Sequence, residues 1–254
     1  MEQATINDRT IVMKQLWETS FQAQIATQAY NTAPVEAVIR TVAYYLRARY
    51  SQREERRLHF LEMGCGAGPN LAWLARRGIR VSGIDISPTA LSLCLDHLRR
   101  AGVEDRIGVL WEGSVTETPF PDESVDGVIE ACVFQHLPKP ERQQAFAEVV
   151  RVLKPGGVFV GYMLDQGHTT FQQKKSEQLP DDPGSLLLYD NRSNFYLTNI
   201  GLAHFFSQEE YPELLRGCSM IDPCLTTYYL PREEARKRGY DSYLQSMWTV
   251  YAVK

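Results

Sequence analysis

The stretch LEMGCGAGPN (residues 61–70) decides how the rest of the sequence is interpreted. A short apolar run ends in three alternate glycines, and a segment with helical spacing follows them. Glycines at a strand-to-helix turn let the backbone turn tightly and let a ligand approach the main chain closely. The pattern therefore predicts a buried strand, a ligand-binding turn and a helix, in that order.

The residues around the glycines indicate the charge of the ligand. The spacing is GxGxG, whereas sites that bind a pyrophosphate at a helix N-terminus carry GxGxxG. Glu62 lies two residues before Gly64, and Pro69 removes one of the amide donors that a phosphate would use. Both features disfavour an anion and favour a ligand that carries positive charge.

Apolar runs and helical segments alternate on both sides of this stretch. Predicted strands lie at 58–64, 79–87, 106–113, 124–133 and 158–164, with helices at 69–78, 88–102 and 139–153. Strands joined by helices of about 10–15 residues form parallel sheets through right-handed crossovers. Two further runs, 224–230 and 246–254, indicate a closing strand pair. We expect an α/β fold with a doubly wound, mostly parallel seven-stranded sheet and helices on both faces.

An acidic residue ends the second predicted strand. Asp85 stands 21 residues after Gly64 and is followed by Ile86. Ligands of doubly wound sheets bind beyond the carboxyl ends of the strands, where a carboxylate can accept both hydroxyls of a ribose. Ile86 is placed to lie against the face of an adenine. The turn, its acid and Asp85 together favour an adenosine ligand with positive charge and no phosphate.

Composition and charge narrow the possible partners. The 254 residues are 44% apolar with a formal net charge of -4, whereas proteins that bind the nucleic-acid backbone usually carry a basic surplus. The five cysteines include no CxxC pair, and no run approaches the roughly 18 apolar residues of a membrane span. Asp181, Asp182 and Asp190 lack the spacing of a metal site and are expected in a solvated loop. We expect a cytoplasmic protein, monomeric or homodimeric, that binds neither nucleic acid, membrane nor metal.

Four stretches resemble the successive motifs of the class I (Rossmann-like) S-adenosylmethionine-dependent methyltransferases. They are LEMGCGAG (61–68), GIDIS (83–87), PFPDESVDGV (119–128) and RVLKPGG (151–157). The likeness covers roughly residues 58–164 and implies S-adenosylmethionine as the cofactor. It also implies cofactor contacts at Glu62, Gly64, Cys65, Gly66, Gly68, Asp85, Ile86, Gly113, Ser114, Val115 and Glu130.

Within this likeness, the three glycines of the turn line the methionine and ribose end of the cofactor. Asp85 holds the ribose, and residues 113–115 border the adenine. Many members of the family carry Asp where Ser114 stands, but a serine hydroxyl can still accept a hydrogen bond. The departure bears on the adenine contact and not on the cofactor class. Val125 stands where Phe is common, which is a change in packing.

Candidate catalytic residues follow the fourth strand. Methyl transfer is a direct displacement at carbon, so alignment supplies much of the rate, and a base helps when the acceptor must lose a proton. His136 titrates near neutrality and is a candidate base, with a structural role as the alternative. Glu130 would orient an amine or take a proton, unless only its backbone faces the cofactor. Tyr162 and Asp165 are further candidates after the fifth strand.

Substrate contacts are expected from aromatic residues that exclude water and select planar or apolar acceptors. We predict them, with Phe21 alongside, at Trp17, Tyr30, Tyr162, Phe195 and Tyr196. The alternative is that these aromatic residues belong to the core. Residues 1–50 are expected to form an N-terminal helical cap and residues 51–254 the Rossmann-like methyltransferase domain. The polar, proline-broken stretch 165–206 is expected to be a substrate lid inserted after the fifth strand.

Several functions remain open at this point. The favoured one is a methyltransferase that acts on an O, N or S nucleophile of a small molecule. The alternatives are a methyltransferase acting on tRNA or protein, and an S-adenosylmethionine-binding module that methylates nothing. A pyridine-nucleotide oxidoreductase is disfavoured by the GxGxG spacing and by Glu62. The fourth strand ends in EACV (130–133), unlike the NPPY-type tetrapeptide of base-amine methylation.

Overall fold

The computed structural model describes residues 6–189, 200–237 and 239–254, with the backbone alone for residues 6–12. The strands in this part of the chain are β1 (His59–Met63), β2 (Arg80–Asp85), β3 (Ile107–Glu112), β4 (Val125–Ala131), β5 (Leu153–Leu164), β6 (Ser185–Leu188), β7 (Gly201–His204), β8 (Met220–Leu230) and β9 (Tyr243–Val253).

Seven of these strands form one sheet in the order β3-β2-β1-β4-β5-β9-β8. Strands β1 to β5 run parallel, while β9 is antiparallel to both β5 and β8. The chain runs outward from β1 to β3 and then returns to β4 on the other side of β1. The predicted doubly wound, mostly parallel seven-stranded sheet is therefore confirmed. Its strand order reverses between β1 and β4, where such sheets form a crevice.

Helices cover both faces of the sheet, as predicted. The described helices are α1 (Ile6–Ala26), α2 (Glu36–Arg49), α3 (Gln52–Glu55), α4 (Pro69–Arg76), α5 (Pro88–Arg100), α6 (Lys139–Val152), α7 (Thr169–Lys174), α8 (Tyr211–Leu214) and α9 (Arg232–Lys237). In the described part of the chain, no helix combines the length and the apolar character needed to cross a bilayer.

Successive strand residues pack into two apolar clusters, one on each face of the sheet. Phe60 packs in the cluster that contains Leu46 of α2 and Leu71 of α4. Leu61 packs in the other cluster, which contains Phe146 of α6. Because side chains alternate along a strand, the parity of a position decides which face its side chain reaches.

The second helix is part of the sheet domain by its packing. Val38, Val42 and Leu46 of α2 are fully buried in the cluster with Phe60. The described side chains of α1 contribute no buried residue to this cluster, so among the described residues before 50 its buried members all come from α2. We use the name N-terminal segment for residues 6–35.

Much of the stretch between residues 165 and 206 folds onto the domain. Strands β6 and β7 form a two-stranded antiparallel sheet, and α7 precedes them. Phe171 and Leu186 are buried in the same cluster as α2. Residues 190–199, which include the predicted substrate contacts Phe195 and Tyr196, lie outside the described residues.

The expectation of a solvated loop is wrong for Asp182. The guanidinium Nη2 of Arg142, a residue of α6, donates to Asp182 Oδ1 at 2.7 Å, and both side chains are buried. Ser185 Oγ donates to the other carboxylate oxygen at 2.6 Å. A carboxylate is stable in the interior when it is paired and hydrogen-bonded in this way. This pairing joins the inserted stretch to the sheet domain.

The connection from β1 to α4 depends on Gly68. This residue precedes Pro69, the first residue of α4, and has a φ of 73°, in the left-handed region that favours glycine. A Cβ atom at this position would overlap Cys94 Sγ of α5. Gly68 thus permits the close approach of the turn to α5.

We predict that Gly68→Ala lowers the free energy of unfolding by about 2–3 kcal/mol, through backbone strain and overlap with Cys94. Urea denaturation of G68A, C94A and the double variant measures this effect. In the C94A background, where the overlap is removed, the penalty should fall to about 1 kcal/mol. An equal penalty in both backgrounds would show that the overlap is not the cause.

Candidate active site

A cavity of about 260 Å³ opens where the carboxyl ends of the parallel strands meet. Its walls come from the turn after β1, from Asp85 and Ile86 after β2, and from residues 113–115 after β3. Further walls come from residues 131–133 at the end of β4, from His136 and Leu137, and from the N-terminal segment. The cavity lies at the reversal of strand order, where the sequence predicted a ligand site.

Glu62 of β1 presents an unpaired carboxylate oxygen in this cavity. Its side chain is buried, and Oε1 accepts a hydrogen bond of 2.7 Å from Asn70 Nδ2. Oε2 is buried and accepts no hydrogen bond. Burial raises the pKa of Glu62 to about 8. A buried acid with a free oxygen is costly unless a ligand supplies a donor or a positive charge.

Asp85 also lines the cavity, at the end of β2. Its Oδ2 accepts a hydrogen bond of 2.9 Å from the Gly66 amide, and its Oδ1 accepts one of 3.0 Å from the Ser87 amide. Burial is the main cause that raises the pKa of Asp85. A carboxylate has about four acceptor positions, so two more hydrogen bonds to a ligand are available.

The glycine turn forms the floor between these two acids. The amides of Gly64 and Cys65 both donate to the Ile84 carbonyl, at 2.7 and 2.9 Å. Gly64 has a φ of 78°, and a Cβ atom there would overlap the side chain of Val133. The predicted residues Gly64, Cys65 and Gly66 line the cavity, whereas Gly68 packs against α5.

The predicted adenine border also reaches the cavity. Gly113, Ser114 and Val115 line it together with Ile86. The Ser114 hydroxyl lies 2.7 Å from Thr116 Oγ1 and accepts a hydrogen bond of 3.2 Å from the Thr116 amide. Local hydrogen bonds of the chain thus engage this hydroxyl.

Glu130 lies outside the cavity lining, on the opposite face of the sheet from Glu62. Val128, two residues earlier in β4, belongs to the α6 cluster, so Glu130 shares that face. Its Oε1 accepts hydrogen bonds from the amides of Val133 at 2.6 Å and Phe134 at 3.0 Å. Burial raises the pKa of Glu130 to about 7. The carboxyl group holds the turn after β4, and its neighbour Ala131 lines the cavity.

His136 lines the cavity from the short 3-10 turn Phe134–His136. Its Nδ1 lies 3.0 Å from the Leu202 carbonyl oxygen, which can only accept, so Nδ1 carries the hydrogen. Nε2 is then the acceptor and lies 3.4 Å from Gln135 Nε2. Burial lowers the pKa of His136, which keeps the imidazole neutral at pH 7.

The N-terminal segment supplies the wall that faces the strand ends. Met13, Trp17, Phe21 and Gln24 line the cavity from α1. The Trp17 ring meets the His136 ring edge-on, with a centroid distance of 5.1 Å. Sequence analysis missed Met13 and Gln24, although the spacing of 13, 17, 21 and 24 marks one helical face.

Two contacts attach α1 to the sheet domain. Glu18 accepts hydrogen bonds from Ser87 Oγ at 2.6 Å and from Thr89 Oγ1, at the N-terminus of α5. A carboxylate is favourable at this end of a helix. Lys14 forms an ion pair with Glu112, the last residue of β3. These contacts hold the aromatic side of α1 over the cavity.

Besides Gly68 and Glu130, three further predicted residues lie outside the cavity lining. Tyr30 and Tyr162 do not contribute to it. Asp165 accepts hydrogen bonds from Ser246 Oγ and the Gly167 amide, at 2.6 and 2.8 Å, and also lies outside the lining. The described residues 165–189 and 200–206 contribute no lining side chain. The His136 imidazole donates to the Leu202 carbonyl, which connects this stretch to the site.

Two lining residues carry features that sequence analysis missed. Cys132 has a φ of 62°, which is unusual for a residue with a side chain, and its amide donates to the Tyr162 carbonyl at 2.9 Å. Asn70 binds Glu62, as described above. Nothing in the local sequence marks Cys132. Asn70 is the second residue of α4, eight residues after Glu62. Among the described residues, no cluster of three or more His, Cys, Asp or Glu side chains is arranged to hold a metal.

We predict that the free energy of unfolding of the wild type falls between pH 5 and pH 7, and that Glu130→Gln reduces this fall. The folded protein keeps the Glu130 proton to about pH 7, whereas an ordinary glutamate loses it near 4.5. The folded state therefore binds more protons in this window, and its stability falls as pH rises. Between pH 5 and pH 7, the free energy of unfolding of the variant should rise relative to that of the wild type by on the order of 2 kcal/mol.

Thermal unfolding of E130Q at half-unit pH steps measures this gain. The matched control is Glu117→Gln, since Glu117 is exposed. Its profile should run parallel to that of wild type. A parallel profile for E130Q as well would contradict the raised pKa of the buried carboxyl.

Comparison with known proteins agrees with this fold. Residues 61–161 match the family described as methyltransferase domain. Methyltransferase GfsG from Streptomyces halstedii is 38% identical over 100 residues, which are 38% of this chain and 34% of that protein. The 24-methylenesterol C-methyltransferase 2 of Oryza sativa subsp. japonica is 39% identical over 103 residues, 40% of this chain and 28% of that protein. The chain spans about a third of the length of these curated relatives.

A solved structure extends the likeness in fold to the whole chain. The 1,6-didemethyltoxoflavin-N1-methyltransferase of Burkholderia thailandensis, with 1,6-didemethyltoxoflavin and S-adenosylhomocysteine bound, aligns with a TM-score of 0.59. The alignment covers 100% of this chain and 92% of that one at 19% identity, so it concerns the fold alone. Residues 61–161 thus match the methyltransferase domain family, and the seven-stranded sheet gives the chain the class I (Rossmann-like) methyltransferase fold.

Proposed function

We propose that this protein transfers the methyl group of S-adenosylmethionine to an O, N or S nucleophile of a small, largely apolar molecule. The observation that carries the proposal is the unpaired carboxylate oxygen of Glu62, in one cavity with Asp85 and an aromatic wall. A ligand for this cavity needs a cationic group, hydroxyl donors and an apolar neighbour.

The acids fit the two polar ends of S-adenosylmethionine. Glu62 Oε2 would accept a hydrogen bond from the cationic amino group of the methionine moiety, which offsets the cost of its burial. Asp85 would accept the ribose hydroxyls with its remaining lone pairs. Ile86 and residues 113–115 would border the adenine. Gly64 and Gly66 let the ligand approach the backbone between these ends.

A phosphate-bearing cofactor fits this cavity less well. The described residues that line it include Glu62 and Asp85 but neither Lys nor Arg. The first turn of α4 begins with Pro69, which has no amide hydrogen to donate. Negative charge would therefore meet two carboxyl groups without a compensating cation. This supports the sulfonium cofactor over a pyridine dinucleotide.

Methyl transfer requires the protein mainly to align the acceptor with the methyl group. S-adenosylmethionine, when bound, supplies an activated methyl group. Trp17 and His136 would hold the acceptor on the side of the cavity formed by α1, and restricted orientation accounts for much of the rate. The neutral His136 imidazole, with its hydrogen fixed on Nδ1, is a candidate to take a proton at Nε2. In this proposal Glu130 positions the turn after β4 and takes no part in proton transfer.

The aromatic wall supports a small apolar acceptor over a macromolecule. Met13, Trp17, Phe21 and Leu137 line the cavity, and α1 covers it. The formal net charge of -4 disfavours nucleic acid. The relative from Oryza sativa is a 24-methylenesterol C-methyltransferase, and the Burkholderia enzyme is an N1-methyltransferase of 1,6-didemethyltoxoflavin. Both are named for small-molecule acceptors, and a sterol agrees with the apolar lining.

Calorimetric titration tests the cofactor part of the proposal. S-adenosylmethionine and S-adenosylhomocysteine should bind at micromolar concentration, and NAD should not. Asp85→Ala should weaken both by about 10–100-fold, because it removes hydrogen bonds to a charged group. The matched control Asp96→Ala changes an exposed aspartate of α5 and should bind as wild type. Tight binding by D85A would contradict the ribose contact.

Product mass tests the acceptor part. Planar or apolar compounds with a free hydroxyl, amine or thiol should gain one methyl group when incubated with protein and S-adenosylmethionine. Trp17→Ala should lower kcat/KM for the acceptor about tenfold, because it removes an aromatic side chain that lines the cavity, and Trp17→Phe should restore most of it. Methylation of tRNA or peptides instead would overturn the small-molecule assignment.

A further inference from the structure

Both ends of the Asn70 side-chain amide are occupied by different parts of the chain. Nδ2 donates to Glu62 Oε1 at 2.7 Å, and Oδ1 accepts from the Val35 amide at 2.9 Å. The side chain is buried and lines the cavity. A single amide thus connects the acid on β1 to the end of the N-terminal segment.

The Val35 hydrogen bond sets the orientation of this amide. A side-chain amide donates at one end and accepts at the other. If the Asn70 amide were reversed, its oxygen would face the Glu62 carboxyl and its NH2 group would face the Val35 amide hydrogen. The Val35 contact therefore favours the orientation in which Glu62 Oε1 receives a donor and Oε2 stays free for a ligand.

We propose that Asn70 is a positioning residue that couples the seating of residues 31–35 to the recognition of the cofactor's amino group by Glu62. The inference rests on the proposed function, because it assigns that amino group to Glu62. Asn31 and Val35 line the same cavity, so an acceptor that contacts them would also favour cofactor binding. Such coupling is reciprocal in free energy.

The charge of Glu62 gives the coupling a measurable signature. Burial raises its pKa to about 8, and the hydrogen bond from Asn70 acts in the opposite direction. Two other acids near Glu62 raise its pKa by charge repulsion, Asp85 on β2 and Glu130 on the opposite face of β4. A cationic amino group requires ionised Glu62, so affinity should rise with pH up to about 8. Without the Asn70 donor, this rise should move to higher pH.

Two ligands distinguish a role of Asn70 in positioning Glu62 from a general effect of its substitution on the fold. S-adenosylhomocysteine carries the amino acid moiety, whereas 5′-methylthioadenosine shares the adenosine and the thioether but lacks the amino group. Titration of both ligands between pH 6 and pH 8.5 would compare wild type, Glu62→Gln and Asn70→Ala. Loss of the amino-group contact should affect only the first ligand.

We expect Asn70→Ala to weaken S-adenosylhomocysteine binding about tenfold at pH 7 and methylthioadenosine binding less than twofold. In this variant, the pH range over which the affinity for S-adenosylhomocysteine increases should move upward by about one pH unit. E62Q should bind with little dependence on pH. Equal weakening of both ligands, or an unshifted profile for N70A, would overturn the positioning role.

The link to the N-terminal segment has its own pair of variants. Val35→Pro removes the amide hydrogen while Asn70 stays, and the native φ of -71° suits proline. Val35→Ala is the matched control, since it trims the side chain and keeps the amide. V35P should reproduce the N70A pattern relative to V35A, whereas equal behaviour of the two would overturn the coupling.

Glu18→Ala separates this link from docking of α1 in general. Glu18 holds α1 to Ser87 and Thr89 and does not touch Asn70. E18A should therefore leave the pH profile of the wild type unshifted. An upward shift in E18A equal to that in N70A would overturn the specific role of Asn70. If wild type bound neither adenosyl ligand at any pH, the proposed function would fail, and the inference with it.

Discussion

The site depends on one backbone constraint, which is three positive φ angles within five residues of the turn after β1. Gly64, Gly66 and Gly68 have φ values of 78°, 50° and 73°. Cβ atoms at the first and third of these positions would overlap neighbouring side chains. The turn brings the amides of Gly64 and Cys65 to the carbonyl of Ile84 and so joins the ends of β1 and β2. Glycine alone meets both requirements, and the crevice forms around it.

Buried carboxyl groups give the crevice its chemical character. Glu62, Asp85 and Glu130 all have raised pKa values, with burial as the largest cause. They differ in what the chain offers them. Each of Glu62 and Glu130 keeps one buried oxygen without a hydrogen-bond partner. Glu130 lies on the α6 face, where backbone amides hold its other oxygen, whereas Glu62 lines the cavity. A ligand with a positive charge lowers the cost of the second arrangement and not of the first.

The N-terminal segment completes the site through contacts between residues distant in sequence. Glu18 binds Ser87, 69 residues away, and Val35 binds Asn70, 35 residues away. Each contact reaches a residue that in turn holds one of the cavity acids, because the Ser87 amide donates to Asp85 and Asn70 donates to Glu62. The wall formed by α1 and the acids that we propose to bind the cofactor therefore share a hydrogen-bond network.

The sequence by itself determined the sheet, the glycine turn and the acid at the end of β2, because periodicity and glycine requirements are local properties of the chain. Only the tertiary structure decided which side chains meet in the cavity. Glu130 lies on a sheet strand yet does not line the cavity, because the register of β4 sets the face that its side chain reaches. Tyr162 packs in the cluster on the face of Glu62 and also lies outside the lining. Asn70 and Cys132 enter the site through long-range packing, which no local pattern encodes.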